Sequence, residues 1–187
     1  MAVESRMVAL GQSIPDFSLM SVRGDRVSLD DFVSAPALLV AFLCNHCPYV
    51  RHVETKLGSV LAGLPDLAVV GVCSNDVDAY PDDSPSKLLE QAQRAAWNFP
   101  YLVDESQDVA RAFGAVCTPD FFMYNADRRL AYRGAFDEST PGNRKPVTGD
   151  LLAEAARRVL AGEAVLEPQR ASMGCSIKWK RGHDPTR

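Results

Sequence analysis

The fold is decided by residues 37–50, which read ALLVAFLCNHCPYV. Residues 37–43 form a continuous apolar run, which is typical of a strand buried on both faces. From Pro48 to about Leu64, apolar residues recur at three-and-four spacing and predict a helix. Proline suits the first helical position, because the N–H that it lacks would have no helical partner there. Cys44 and Cys47 therefore fall at the junction of a buried strand and a helix.

Strands and helices alternate on either side of this junction. Residues 13–19 form an extended entry segment, and a polar loop rich in Asp and Pro covers residues 74–85. The patterns predict strands at 67–73, 101–103, 120–124 and 129–134, and helices at 86–97, 106–113 and 150–160. The last two strands form a hairpin. This order predicts an α/β fold with a central mixed sheet and helices on both faces, followed by a tail of little periodicity after Pro168.

Length and composition favour one domain over residues 1–187. The chain is 47% hydrophobic, enough for a core that we expect over about residues 11–163, with a C-terminal tail at 164–187. A net charge of −4 gives no electrostatic footprint for nucleic acid. The apolar runs are too short to span a membrane, and the N-terminus lacks a secretory signal. We therefore expect a cytoplasmic protein with neither nucleic acid nor membrane as a partner.

The five cysteines point to redox chemistry. Their odd number argues against a secreted disulfide framework, and a C-x-x-C pair at a strand-to-helix junction indicates a redox motif. Cys47 caps the helix, so its thiolate would face unpaired N–H groups and the positive end of the helix dipole. Both effects lower the pKa of a thiol. We predict an exposed nucleophilic sulfur at Cys47, with Cys44 as its nearest partner.

Neighbouring polar residues leave alternatives open. As a cation, His46 would favour the Cys47 thiolate, or else it points into solvent. Soft metal ligands are also available from Cys44, His46, Cys47 and Cys117. The spacing of a second ligand pair is missing, however, and we therefore expect neither a metal nor a cofactor. The acidic residues 76–83 lack the spacing of a calcium loop, so we expect them to be solvated.

Four stretches together resemble a known family: GQSIPDFSL (11–19), AFLCNHCPYV (41–50), CTPDFF (117–122) and GCSIKW (174–179). They are similar to the AhpC/TSA-related, peroxiredoxin-like branch of the thioredoxin-like superfamily. The resemblance implies a thioredoxin fold with an N-terminal extension and a C-terminal tail. It also implies that Thr118 and Pro119 form a loop with a cis peptide bond facing the active cysteine. Cys117 would then lie nearby as a possible second partner for Cys47.

The sequence departs from the active-site motifs of both peroxiredoxins and thioredoxins. Where peroxiredoxins have P-x-x-x-T-x-x-C, this chain has Val40 and Cys44 at the Pro and Thr positions, and the arginine that polarises peroxide is missing. The groups that stabilise charge in peroxide cleavage are therefore mostly missing. Thioredoxin's second cysteine corresponds to Val50 and its buried acid to Ala41. The resemblance thus favours disulfide exchange over fast peroxide reduction.

Our leading hypothesis is a thiol–disulfide oxidoreductase. Its site residues are Cys47 as nucleophile and Cys44, or failing that Cys117, as resolving thiol, supported by His46, Pro48, Thr118 and Pro119. The alternatives are a thiol peroxidase that forms a sulfenic acid on Cys47, and a redox-sensing or metal-binding module without turnover. The substrate would be a protein or small-molecule disulfide or a peroxide. The reductant and a possible homodimer stay open.

Two further cysteines have two interpretations each. Cys175, in the tail, could resolve an oxidised Cys47, or the neighbouring Ile177 and Trp179 could simply dock the tail on the core. Cys73 ends a predicted strand and is assigned to packing, although it could also lie near the redox site.

Overall fold

The structure is a computed structural model and describes residues 2–185. The strands are β1 (Ala2–Glu4), β2 (Ser18–Ser21), β3 (Arg26–Ser28), β4 (Ala37–Phe42), β5 (Leu67–Cys73), β6 (Tyr101–Val103), β7 (Cys117–Thr118), β8 (Asp120–Tyr124), β9 (Leu130–Gly134) and β10 (Met173–Ser176). The helices are α1 (Pro48–Ala62), α2 (Pro85–Arg94), α3 (Asp108–Phe113) and α4 (Asp150–Leu160). Most predicted elements lie within two or three residues of these bounds.

The central sheet has the order β3-β2-β6-β5-β4-β8-β9. Strands β4, β5 and β6 are parallel, whereas β8 and β9 form the predicted antiparallel hairpin beside β4. Helices α1, α2 and α4 pack on one face, and α3 packs on the other. The predicted mixed sheet with helices on both faces is confirmed.

Strand β4 and helix α1 carry the cysteine pair as the sequence predicts. All six residues of β4 are buried, because helices cover both faces of the sheet at its centre. Apolar residues of α1 at three-and-four spacing, such as Val50, Val53, Leu57 and Leu61, are buried against the sheet. The helix begins at Pro48, with Cys47 as its N-cap, and ends at Ala62.

A second, three-stranded sheet has the order β1-β10-β7 and is antiparallel. The tail after Pro168, which has little periodicity in the sequence, therefore contains a short strand at Met173–Ser176. Strands this short have too little local pattern to be recognised, and they form through pairing with distant residues. The pairing sets Cys175 opposite Thr118 and Ser176 opposite Cys117, and so brings the tail to the loop before β8.

The rest of the tail packs on the core through Ile177 and Trp179, as the second interpretation given for the Cys175 segment predicts. Ile177 is buried and Trp179 packs beside it on the α3 face of the sheet. The backbone N–H of Lys178 donates to Asn75 Oδ1 at 2.8 Å, and Gln107 Nε2 donates to the Lys178 carbonyl at 2.9 Å.

In the chain from 2 to 185, no helix combines the length and apolar character required to cross a bilayer.

Candidate active site

Cys47 lies where predicted along the chain, but its sulfur is not exposed. The exposed fraction of Cys47 is 0%, and that of Cys44 is also 0%. The prediction of an exposed thiol at the strand-to-helix turn is therefore wrong. Its physical cause is the C-terminal strand β10, which packs against α1 and sets Cys175 beside Cys47. The sulfur of Cys47 is therefore closed to solvent in this conformation.

The loop before β8 contacts both cysteines of the pair. The peptide bond between Thr118 and Pro119 is cis, as the resemblance implies. In its protonated form, Cys47 Sγ donates to the Thr118 carbonyl at 3.2 Å. Cys44 Sγ and Thr118 Oγ1 are 3.1 Å apart. Thr118 is thus the residue at which the pair and the loop meet.

The pKa of Cys47 is lowered to about 5, and the hydrogen bond from the Cys44 thiol is the main cause. Burial opposes this shift, while the Cys175 thiol and the backbone N–H groups of Val50 and Cys175 add to it. The predicted effect of the helix end is present through Val50, but it is secondary to a neighbouring thiol. Burial holds the pKa of Cys44 well above its usual value, so Cys44 stays protonated and can donate.

Removal of the Cys44 donor should restore an ordinary thiol at Cys47. In the wild type we expect the thiolate of Cys47 to titrate near pH 5, with full reactivity above that pH and loss below it. Cys44→Ala should move the midpoint up by about 2 units or more. Cys44→Ser keeps a donor and should move it less. Thiolate absorbance at 240 nm against pH measures all three, and equal midpoints for Ala and Ser would contradict the assignment.

The turn between the two cysteines is held by Asp83. Its carboxylate accepts from the backbone N–H groups of Asn45 at 2.7 Å and His46 at 3.2 Å, and from Asn75 Nδ2 at 2.8 Å. Although burial opposes ionisation, hydrogen bonds from His46 and Asn75 hold the pKa of Asp83 below its usual value. Asp83 is fully buried, so the prediction of a solvated acidic loop is wrong at this residue.

His46 belongs to this anchor rather than to the sulfur of Cys47. Its Nδ1 lies 2.6 Å from Asp83 Oδ2, and its ring stacks on Tyr80 at 5.1 Å between centroids. The predicted supporting role of His46 as a cation beside Cys47 therefore does not match its contacts. Arg51, in the first turn of α1, donates through Nε to the Asn45 carbonyl at 2.8 Å. Both side chains position the turn.

A buried polar network holds the carbonyl of Cys44. Gln91 Nε2 donates to that carbonyl at 3.1 Å, and Tyr101 donates its hydroxyl to Gln91 Oε1 at 3.2 Å. Glu54 accepts from Arg94 Nε at 2.9 Å and from Gln91 at 3.3 Å. Because buried polar groups are costly when unpaired, this network fixes the end of β4 in one geometry.

Loss of the Asp83 carboxylate should loosen the turn. Asp83→Ala leaves two backbone N–H groups and the Asn75 amide without their acceptor, so we expect a loss of about 3 kcal/mol in the free energy of unfolding. Asp83→Asn keeps one acceptor oxygen at the same place and should cost less. Urea unfolding at pH 7 measures both. A cost for Ala no greater than for Asn would contradict the anchoring role.

One cluster in the described residues could hold a metal ion: Cys44, His46 and Asp83, whose ligand atoms lie within 4.8 Å of one another. This set differs from the alternative raised from the sequence, since Asp83 takes part and Cys47 and Cys117 do not. Both oxygens of Asp83 already accept hydrogen bonds from nitrogen donors. A cation would have to break the contact between His46 and Asp83, and the cluster is better explained as the anchor of the turn.

Two other cysteines are sealed in the core. Burial raises the pKa of Cys117, which lies close enough to Cys47 for their charges to interact. Cys73 is 1% exposed, and burial raises its pKa as well. Neither thiol is poised to ionise. The expectation of packing fits Cys73, which also lies close enough to Cys44 for their charges to interact, and the proximity implied for Cys117 is present.

Three features in and around the site were not predicted from the sequence. The residues of β10 have too little strand periodicity to be recognised. Asp83 stands in an acidic segment with exposed acidic residues, and the sequence does not distinguish it from them. Asp120 is fully buried at the start of β8, and burial raises its pKa to about 8, so its carboxyl carries a proton at pH 7. An acid that follows a proline in an apolar run was the available signal for Asp120. Its carboxyl interacts with the thiol of Cys117.

The comparisons with known proteins agree with this geometry. The family model described as AhpC/TSA family matches residues 10–133. The chain belongs to the AhpC/TSA family. This membership confirms the resemblance to the thioredoxin-like superfamily. Among curated proteins there is no match.

Two solved structures are similar over nearly their whole length. An uncharacterized conserved protein from Geobacillus kaustophilus is 43% identical, with a TM-score of 0.93 over 96% of this chain and 97% of that one. A hypothetical protein from Sinorhizobium meliloti is 42% identical, with a TM-score of 0.94 over 96% and 99%. A thioredoxin family thiol:disulfide interchange protein from Chlorobium tepidum is 17% identical, with a TM-score of 0.62 over 81% and 98%. The last likeness confirms the thioredoxin fold of this AhpC/TSA member.

Proposed function

We propose that this AhpC/TSA family member is a thiol–disulfide oxidoreductase in which Cys47 is the nucleophile. The observation that carries the proposal is the lowered pKa of Cys47, about 5, at the N-cap of α1 beside the cis Thr118–Pro119 loop. At pH 7 the sulfur is a thiolate, which is the form that attacks a disulfide. Several structures with this fold carry the names of disulfide oxidoreductases or interchange proteins, which agrees with the proposal.

Two roles have to be weighed for Cys44. Its thiol donates to the Cys47 thiolate before the attack, and so lowers the energy of the anion. The sequence also makes Cys44 the first candidate to resolve the mixed disulfide. Its contact with Thr118 Oγ1 and the hydrogen bond from Gln91 to its carbonyl hold Cys44 in place, which favours the first role over the second.

The contacts of Cys47 favour disulfides over peroxides as substrates. Peroxide cleavage needs donors that stabilise the departing oxygen, and arginine is the strongest of these. Among residues 2–185, the hydrogen bonds of the Cys47 sulfur include no guanidinium, and Arg51 is committed to the Asn45 carbonyl. The proposed substrate is therefore a protein or small-molecule disulfide. We further propose that the protein works in the cytoplasm, where a dithiol returns it to its reduced form.

Two assays on the full chain test the proposal. Insulin reduction with dithiothreitol as the electron donor should be faster with the protein than without it, and stopped-flow mixing with hydrogen peroxide should give a rate no faster than a free thiolate. A rapid peroxide reaction would favour the peroxidase alternative. Failure to accelerate insulin reduction, together with stoichiometric zinc in the purified protein, would favour the metal-binding alternative.

A further inference from the structure

The C-terminal strand β10 lies on the edge of β7, directly above the site. Cys175 is paired in register with Thr118, whose carbonyl also accepts from Cys47 Sγ. Burial and a hydrogen bond with Cys47 raise the pKa of Cys175 to about 11, and Cys175 packs against the apolar cluster that contains Cys47. Cys47 and Cys175 are therefore neighbours in space, although they lie more than a hundred positions apart in the sequence.

Gly174 makes this close approach possible. A Cβ atom at position 174 would lie 2.0 Å from the Thr118 carbonyl oxygen and 2.6 Å from the Thr118 carbonyl carbon. These atoms belong to the backbone and cannot rotate away, so only glycine allows the strand to close on Thr118. The backbone angle at Gly174 is not in the left-handed region, so the requirement is one of space. Gly174 thus allows the strand to come close enough to Thr118 for Cys175 to lie beside Cys47.

Cys44 and Cys175 differ in how freely each can form a bond to Cys47. Cys44 follows β4, which is paired with β5 on one side and β8 on the other. The Cys44 carbonyl also accepts a hydrogen bond from Gln91 Nε2, so the backbone of Cys44 is held in place. Strand β10 pairs with β7 through only two residues and with β1 through three. Of the five cysteines, all within the described residues, Cys175 is the one that is not buried.

We propose that Cys175 is the resolving thiol of Cys47, so that the oxidised protein carries a Cys47–Cys175 disulfide that fastens the C-terminal strand over the site. The inference rests on the proposed nucleophilic role of Cys47. In the open state a substrate disulfide takes the place of β10 above the sulfur. In the closed state Cys175 returns to its place opposite Thr118.

The reaction balances with a substrate disulfide as the oxidant. The Cys47 thiolate attacks one sulfur of R–S–S–R′ and releases R′S⁻, which takes up a proton. Cys175 gives up its proton and attacks Cys47 Sγ, and the RS⁻ that leaves becomes a thiol. Two protein thiols are oxidised to one disulfide, and one substrate disulfide is reduced to two thiols. A dithiol reductant then attacks Cys175, the more accessible sulfur, and returns both cysteines to thiols.

The tryptic peptides of this chain make the test direct. Cys44 and Cys47 share peptide 27–51, whereas Cys73, Cys117 and Cys175 lie on peptides 57–87, 112–128 and 171–178. We would oxidise the reduced full chain with one equivalent of diamide, a diazene that accepts two electrons and two protons. Mapping without reduction should show mainly a link between 27–51 and 171–178. A bond within 27–51, a link to 112–128, or no bond would overturn the proposal.

Two matched serine variants test the resolving step itself. With cystine as the substrate, Cys175→Ser should accumulate the cysteinylated Cys47 about tenfold over wild type, because the step that releases it is lost. Cys44→Ser should not accumulate it. The reverse result would overturn the assignment of Cys175. If no variant is cysteinylated while diamide still links Cys47 to Cys175, then the proposed function fails and the disulfide pairing stands.

Discussion

Cys47→Ser should abolish disulfide reduction, with a loss of about a thousandfold or more in the rate of insulin reduction. The serine hydroxyl fits the same space and can donate to the Thr118 carbonyl as the protonated thiol does. It cannot ionise near neutral pH, however, and so the hydrogen bond from Cys44 has no anion to stabilise. The change removes the nucleophile and leaves the surrounding structure in place.

The control is a second buried cysteine at the end of a neighbouring strand. Cys73 is sealed at the carboxyl end of β5, and its raised pKa keeps it protonated. Cys73→Ala should therefore lower stability modestly and leave the rate within about twofold of wild type. The assay is dithiothreitol-driven insulin turbidity at pH 7, with circular dichroism to verify folding. Comparable rates for Cys47→Ser and wild type would refute the proposed nucleophile.

Local pattern was sufficient to predict the frame of the site. The apolar run at β4, the proline at the start of α1 and the helical spacing after it are signals within about fifteen residues of one another. Such signals specify where a strand ends and a helix begins, and so placed Cys47 at the N-cap. They carry no information on what lies above the cap.

The parts that sequence could not supply depend on distant pairing. The burial of Cys47 results from β10, and the orientation of His46 results from Asp83 in another loop. Both contacts join segments that are separated by tens of residues or more. Short polar or glycine-containing segments have no periodic pattern from which such contacts could be predicted. The largest cause of the lowered pKa of Cys47, a hydrogen bond from Cys44, likewise required knowledge of side-chain geometry.

Gly174→Val should open the cover and expose Cys47. The added side chain would collide with the Thr118 backbone, where a Cβ would already be 2.0 Å from the carbonyl oxygen. Because β10 is held by few pairings, it is expected to leave the edge of β7 while the central sheet stays intact. We expect alkylation of Cys47 by iodoacetamide at pH 7 to accelerate about a hundredfold, which corresponds to loss of about 2.7 kcal/mol of protection.

Two controls separate an open strand from a damaged fold. Met173→Val changes a half-exposed neighbour in the same strand and should leave the alkylation rate of Cys47 near that of wild type. In the Gly174→Val sample itself, Cys73 on peptide 57–87 should stay unlabelled, because it lies in the central sheet. Labelling of Cys73 at the rate of Cys47 would indicate global unfolding. An unchanged rate at Cys47 would mean that β10 is not the barrier, and that substrate reaches the sulfur by another path.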